Sequence, residues 1–347
     1  MTVAAERSST VEEVLDRYGR LTAEVLRGYL PDQEPRAQLW DLVADYPGRG
    51  GKAIRPSLCL ATCAAFGGEV DEALPSAAAI ELLHNAFLVH DDVEDGSELR
   101  RGQPTLHERH GVPLAVNAGD ALVLLAAAPL RDNRDRLGAR MAAAVAEEFD
   151  RMARHTVEGQ AIELGWRSDA TVELTPDDYL DLIMRKTCWY TTVHPMRVGA
   201  LIGSWGRADL DSLVRFGFYL GAAFQIRDDL LNLVGDEARY GKELCGDLLE
   251  GKRTLMLNHV LSASRGTERD ELVAYLRRDR AQRTEADVEL VMASMRRHGS
   301  LEFASEFARG IAEAAHGAFE EAFSEVPDGP DRAFIEAMIP WMLDRAA

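Results

Sequence analysis

The chain has 347 residues, 46% of them hydrophobic, and a formal net charge of −19 at pH 7. The apolar share is ample for a core, and the charge argues against nucleic acid and anionic membrane surfaces as electrostatic partners. Among the four cysteines, Cys59 and Cys63 lie one helical turn apart and Cys188 and Cys245 stand alone, with no CxxC pair and no disulfide framework. Reduced, mostly buried thiols in a cytosolic protein are the expectation. The N-terminus, MTVAAERSSTVEEV, lacks the basic start and apolar run of a signal peptide. The longest apolar run, Ala121 to Leu130, stops at Arg131 and is too short to span a bilayer. A soluble, cytoplasmic protein without stable membrane insertion is expected.

In chain order, residues 1 to about 10 read as a flexible tail and residues 11–347 as a single domain. Apolar residues at Val11, Val14, Leu15, Tyr18, Leu21, Val25 and Leu26 recur at helical spacing, so a helix is expected up to Leu30. Pro31 to Pro35 breaks it, and a short helix follows to about Tyr46. The stretch PGRGGKAIRP then marks a loop that enters a helix. Helical patterns cover 55–67, 72–91, 115–130, 136–165, 176–204, 208–234, 253–264, 269–278, 284–297, 300–323 and 330–345. No period-2 run of strand-forming residues appears and the breaks are short, so one all-α domain is expected.

The most informative stretch is ELLHNAFLVHDDVEDGSELRRGQPTLH, Glu81 to His107. On one helix Asp91 and Asp95 sit a turn apart on the same face, with Asp92 about 100° round. Stacked carboxylates repel unless a cation lies between them. Hard oxygen ligands with Arg100 and Arg101 just beyond suit Mg²⁺ shared with a substrate phosphate. A second copy, FQIRDDLLNLVGD, places Asp228, Asp229 and Asn232 at the same spacing, and a basic, glycine-rich stretch follows from Tyr240 to Thr254. Two such faces read as opposite walls of one pocket, bridged by metal to a diphosphate. Upstream, Lys52 and Arg55 lie at a glycine-marked helix start, which favours an anion. His84 lies two turns before Asp91; by itself it reads as a core or capping histidine.

The two aspartate motifs, in this form and order, resemble those of the trans-isoprenyl diphosphate synthase (polyprenyl synthetase) family, from about Asp45 to the C-terminus. The resemblance implies a single large all-α helical bundle around a deep central cavity, the isoprenoid synthase type, with the motifs facing each other at its mouth. It also implies a homodimer, and Mg²⁺, three ions, held by Asp91, Asp95 and Asp228 with help from Asp92 and Asp229. Gly50 to Pro56 matches the family's GGKxxRP element, implying that Lys52, Arg55 and His84 hold the diphosphate of isopentenyl diphosphate. Leu99 to Thr105 matches LRRGxPT, with Arg100 assigned to the allylic diphosphate and Arg101 to isopentenyl diphosphate. Thr156 to Trp166 resembles the GQxxDL element, with Glu163 where Asp is usual. The pair Lys186–Thr187 is placed by the family beside the allylic diphosphate and the developing cation, and Gln225 near the same diphosphate. Lys242 and Lys252 flank the loop after the second motif, whose glycines suit a flap that closes and excludes water. The reaction implied is ionisation of an allylic diphosphate, condensation with isopentenyl diphosphate and elimination of a proton.

One position departs from the family's common pattern: Asn232 ends the second motif where Asp is usual. Asn still offers a carbonyl oxygen, so restoring Asp is expected to tighten Mg²⁺ binding if this side chain touches a metal. Product length has one handle. Phe87 lies one turn, about 6 Å, beneath Asp91 on the same face, and Ala86 beside it is small. In the family, bulky residues four or five places before this motif floor the chain pocket. A C20 geranylgeranyl product is therefore favoured over C15 farnesyl, and the Asn-ending motif, found in some geranylgeranyl-type members, leans the same way. Two rivals stand beside this reading. A class I terpene cyclase shares the fold but usually carries N-x₃-S-x₃-E, which Asn258, Ser262 and Gly266 approach without the acid. A non-catalytic subunit of a heteromeric synthase usually loses an aspartate motif, and this chain keeps both.

Overall fold

A computed structural model of the protein describes residues 3–235 and 243–344. Helices α1 (Val3–Arg27), α2 (Asp41–Gly48), α3 (Ile54–Ala65) and α4 (Val70–Asp95) lead into a short antiparallel hairpin, β1 (Leu99–Arg100) and β2 (Gln103–Pro104). Next come α5 (Leu106–His110), the long α6 (Val112–Ser168) and α7 (Pro176–Ile183), then a π-helix (Met184–Val193), α8 (His194–Gly203) and α9 (Ser212–Val234). The remaining α-helices are Gly246–Glu250, Leu255–Ala263, Gly266–Leu276, Glu285–Arg297, Ser300–Ala322 and Pro330–Asp344. The all-α expectation holds, with the hairpin as the one addition among the described residues.

Helix α4 is the axis of the fold because it is buried along most of its length. Ala77, Ala78, Ala79, Ile80, Leu82, Leu83 and Ala86 are all buried, while Glu81, His84, Asp91 and Asp95 turn to the cavity described below. Burying Ile80 and Leu82 contributes about 1.5–3 kcal/mol each. It packs against α6, α3 and α1. Acidic Asp71 and Glu72 suit its first turn. Gly96, at φ 63°, ends it in the left-handed conformation that closes helices, immediately after Asp95. The helix thus continues past the expected end at 91, and the first aspartate motif lies wholly within it.

Three other boundaries differ from the sequence expectation. α1 begins at Val3, inside the stretch read as a tail, where Ala4, Ala5 and Glu6 are good helix formers. The two helices expected over 115–130 and 136–165 meet within α6 at a kink, where Gly138 has φ 78° and ψ 161°. The helix expected over 176–204 contains the π-helix Met184–Val193. α6 crosses this π-helix at Gly159 and α9 crosses it at Gly221. An added Cβ would lie 2.4 Å from the Lys186 backbone nitrogen and 3.0 Å from Cys188 Cα, respectively, so larger residues would push the three segments apart.

Candidate active site

The C-terminal end of α4, the hairpin, the loop before α3, the π-helix, α9 and the segment Gly246–Thr254 surround one cavity of about 670 Å³. Of the expected site residues, Lys52, Arg55, His84, Asp91, Asp95, Arg100, Arg101, Lys186, Thr187, Gln225, Asp228, Asp229 and Lys252 border it. Asp92 and Phe87 do not border it, and Lys242 lies outside the described residues. Acids and bases from segments more than a hundred residues apart therefore meet in one space.

The hairpin turn explains how adjacent arginines diverge. Arg101 (φ 55°) and Gly102 (φ 71°) both take the left-handed conformation of a two-residue turn between paired strands. Arg100 turns inward, where its Nε donates to Asp92 Oδ1 at 2.9 Å and its Nη2 donates to the same carboxylate. Tyr46 Oη also donates to Asp92. Asp92, expected to assist a metal, is instead fully buried as the anchor of Arg100. Arg101 extends the other way, beside Gly51, and its Nη1 donates to the Tyr46 carbonyl at 3.3 Å. Arg49 fixes the hairpin from outside, donating to the carbonyls of Arg100 (3.0 Å) and Pro104 (2.8 Å).

On the neighbouring wall, Arg55 Nη2 donates to Thr191 Oγ1 at 2.9 Å and Nη1 approaches His84 Nε2 at 3.2 Å. Arg55 is always protonated, so His84 Nε2 is the acceptor and the imidazole proton sits on Nδ1. Burial, followed by the Arg55 charge, holds His84 well below the usual histidine range, so it is neutral. The Arg55 guanidinium also lies 4.2 Å from the centroid of the Tyr190 ring, and Lys52 Nζ lies 5.7 Å from that of Trp341.

The first motif is wrapped in cations. Asp95 accepts from Arg167 Nη1 at 2.5 Å and pairs with Lys252 Nζ at 2.8 Å. Burial would raise its carboxyl, but Lys252, Lys186 and Arg167 together hold it far below the usual range. Burial pushes Asp91 up and Asp95 adds to that, against the pull of Lys186. Lys186 pairs with Glu163, the residue that stands in place of the family's Asp. Lys252 also contacts Glu250 at 2.6 Å.

The second motif is held differently. Asp229 accepts from Gln225 Nε2 at 2.6 Å and Tyr179 Oη at 2.8 Å, while Thr187 Oγ1 donates to Gln225 Oε1 at 3.0 Å. Burial, then Asp247, raises the Asp229 carboxyl to about 8. Asn232 is buried outside the cavity; its Oδ1 accepts from the Asp247 amide at 3.1 Å and its carbonyl from Cys245 at 2.8 Å. It therefore tethers the segment after the motif to α9.

Phe87 borders a smaller cavity of about 150 Å³ beside the first, together with His90, Glu94, Thr156, Val157 and Gln160. Asp91, Lys186 and Tyr190 border both spaces. Phe87 meets Tyr190 edge to face at 5.9 Å. Tyr46, Arg167, Tyr179 and Glu250 escaped sequence reasoning. Only Glu250 carried a local signal, since it sits two residues before Lys252.

The donor set fits a hard divalent cation. Carboxylate oxygens of Asp91, Asp95, Asp228 and Asp229 face one cavity beside lysines and arginines suited to phosphate. Among the described residues no three acids, histidines or cysteines gather closely enough to hold an ion alone. That suits Mg²⁺, which keeps waters and binds through one or two carboxylates plus substrate phosphates.

Comparison with known proteins agrees with this geometry. A profile of the polyprenyl synthetase family matches residues 37–295. A geranylgeranyl diphosphate synthase of Saccharolobus solfataricus is 32% identical, over 77% of this chain and 78% of that protein. A (2E,6E)-farnesyl diphosphate synthase of Mycobacterium bovis is 33% identical over 86% and 80%, respectively. The crystal structure of a geranylgeranyl pyrophosphate synthetase from Pyrococcus horikoshii superposes with a TM-score of 0.83 at 30% identity, covering 96% of this chain and 99% of that one. The chain belongs to the polyprenyl synthetase family of trans-prenyltransferases and has its all-α isoprenoid synthase fold.

Proposed function

We propose that this enzyme condenses isopentenyl diphosphate with an allylic diphosphate to a medium-chain trans-prenyl diphosphate, C20 in preference to C15. The observation that carries this is the single cavity onto which both aspartate motifs and three groups of cations open. Asp91, Asp95 and Asp228, with Asp229 beside them, would hold three Mg²⁺ ions. When bound, these would neutralise the allylic diphosphate as it leaves. Lys186, Arg100 and Lys252 add positive charge to that leaving group in a buried space, where it counts for most. Thr187 and Gln225 line the same side. Lys52, Arg55, neutral His84 and Arg101 hold isopentenyl diphosphate so that its double bond faces the cation. The departing diphosphate takes the proton, so no side-chain base is assigned.

The tail of the growing product enters the smaller cavity, with Phe87 as its floor. Asn232 no longer bears on chain length through a metal, because its amide is occupied by backbone. As partner and compartment we propose a second copy of this chain and the cytoplasm. Exposed Val112, Val116, Val123 and Leu124 on the first half of α6 form the apolar stripe that a second copy would cover. Among the described residues, α6 is the one helix long and apolar enough to cross a membrane by length and composition, and this stripe lies on it.

The test is direct. Purified protein with Mg²⁺, dimethylallyl diphosphate and labelled isopentenyl diphosphate should give elongated diphosphates, C20 predominant. Hydrocarbon from a preformed prenyl diphosphate would identify a cyclase instead, and silence a non-catalytic subunit. Phe87→Ala should add at least one five-carbon unit; an unchanged length in a folded variant removes Phe87 as the floor.

A further inference from the structure

Tyr190 borders both compartments. Its ring centroid lies 4.2 Å from the Arg55 guanidinium. The same ring is 5.9 Å from His84, tilted, and 5.9 Å from Phe87, edge to face at 88°. It borders the 670 Å³ cavity and the 150 Å³ cavity alike. The π-helix fixes its position: Thr191, the next residue, accepts from Arg55, while Lys186 and Thr187 one turn earlier face the main cavity. That segment is clamped by the close approaches at Gly159 and Gly221.

We propose that Tyr190 is a specificity-determining wall: it seats Arg55 against the homoallylic diphosphate and turns the growing chain away from that site into the Phe87 cavity. The inference rests on the assignment of Arg55 and His84 to isopentenyl diphosphate. A guanidinium on an aromatic face is held in one plane, which leaves its N–H groups pre-aimed at phosphate oxygens. The same ring closes the space through which an apolar chain would otherwise reach Arg55. One residue thereby links affinity for the second substrate to the length of the product.

The experiment compares Tyr190→Phe, Tyr190→Leu and the unbranched Tyr190→Met with wild type, each checked for fold by circular dichroism and melting. Tyr190→Phe keeps the ring and should match wild type. Leu and Met should raise KM for isopentenyl diphosphate on the order of tenfold, leave KM for the allylic substrate unchanged, and broaden the product lengths. Phe87→Ala, by contrast, should lengthen the product without a comparable rise in KM for isopentenyl diphosphate. Calorimetric titration of isopentenyl diphosphate into metal-free protein reads the Arg55 seat without turnover and should weaken by the same factor. The proposal is overturned if Leu or Met leaves that binding unchanged, if both KM values rise together, if product lengths stay the same, or if Phe behaves like Leu. Failure of wild type to elongate at all is a different result and strikes the proposed function.

Discussion

The two aspartate motifs repeat one spacing but are held by opposite means. In the first, Asp92 is anchored by Arg100, Asp95 by Arg167 and Lys252, and Asp91 lies in the field of Lys186. In the second, Asp229 is held by the neutral donors Gln225 and Tyr179, and Asn232 by backbone amides. The first wall is therefore already compensated in charge, whereas among the described residues the donors to buried Asp229 are the neutral Gln225 and Tyr179, and its carboxyl is raised to about 8. Identical spacing on two helices thus gives a charged lattice on one side of the pocket and a cation-seeking face on the other.

The strongest way to break this comparison is to remove the residues that both walls offer to the cavity. Asp91→Ala and Asp228→Ala should each lower turnover on the order of 10²–10³-fold, the loss typical when one preorganised group leaves a charge-stabilising site. Both should stay folded by circular dichroism, since these two side chains border the cavity. EDTA should silence wild type equally, and full rates in its presence would end the metal mechanism.

A smaller effect sharpens the asymmetry. A carboxyl raised from its usual 3.9 to about 8 binds more protons in the folded protein than in the unfolded one. Metal-free protein should thus lose stability as pH rises from about 4 to 8. Asp229→Asn should flatten that part of the curve relative to wild type. Asp95→Asn should do the reverse: its carboxyl lies below the usual range, so it favours folding above pH 4 and that contribution disappears as pH falls. Melting temperature against pH, in EDTA, reads both. Parallel curves for the two variants would mean the walls do not differ in charge compensation.

How much of this was legible in the sequence depended on how local each partner is. Asp91 and Asp95 could be placed on one face because a single helix fixes their relation, although the apolar pattern of α4 ends at 91 and the helix runs on to Asp95. Their spacing could not say what Asp92 does, because its anchors come from a hairpin turn and from Tyr46, 46 positions away. Lys186 and Thr187 were visible as a motif. The π-helix that aims them was not, since it reflects close packing at Gly159 and Gly221 and no periodicity in the chain. Arg167 and Tyr179 were invisible for the same reason: an arginine at a helix end and a tyrosine on an amphipathic one look ordinary until the bundle closes around them. Asn232 shows the converse hazard, in which a residue at a motif position has been given to the backbone.

That residue supplies the finest test. By spacing alone, Asn232→Asp should add an anionic ligand and shift the Mg²⁺ activation curve to lower concentration. The structure argues otherwise: Asn232 is 2% exposed, lies off the cavity, and spends its amide oxygen on the Asp247 N–H at the start of helix Gly246–Glu250. Aspartate can accept the same hydrogen bond, and a carboxylate at a helix N-terminus is favoured. The variant should therefore keep its Mg²⁺ midpoint within about twofold. Asn232→Ala should instead lose the tether, destabilising the protein by about 1 kcal/mol and weakening the allylic substrate, because Lys252 follows that short helix by two residues. A leftward shift of the Mg²⁺ curve in Asn232→Asp, with Asn232→Ala silent, would show that this position faces a metal after all and that the two walls are more alike than their hydrogen bonds suggest.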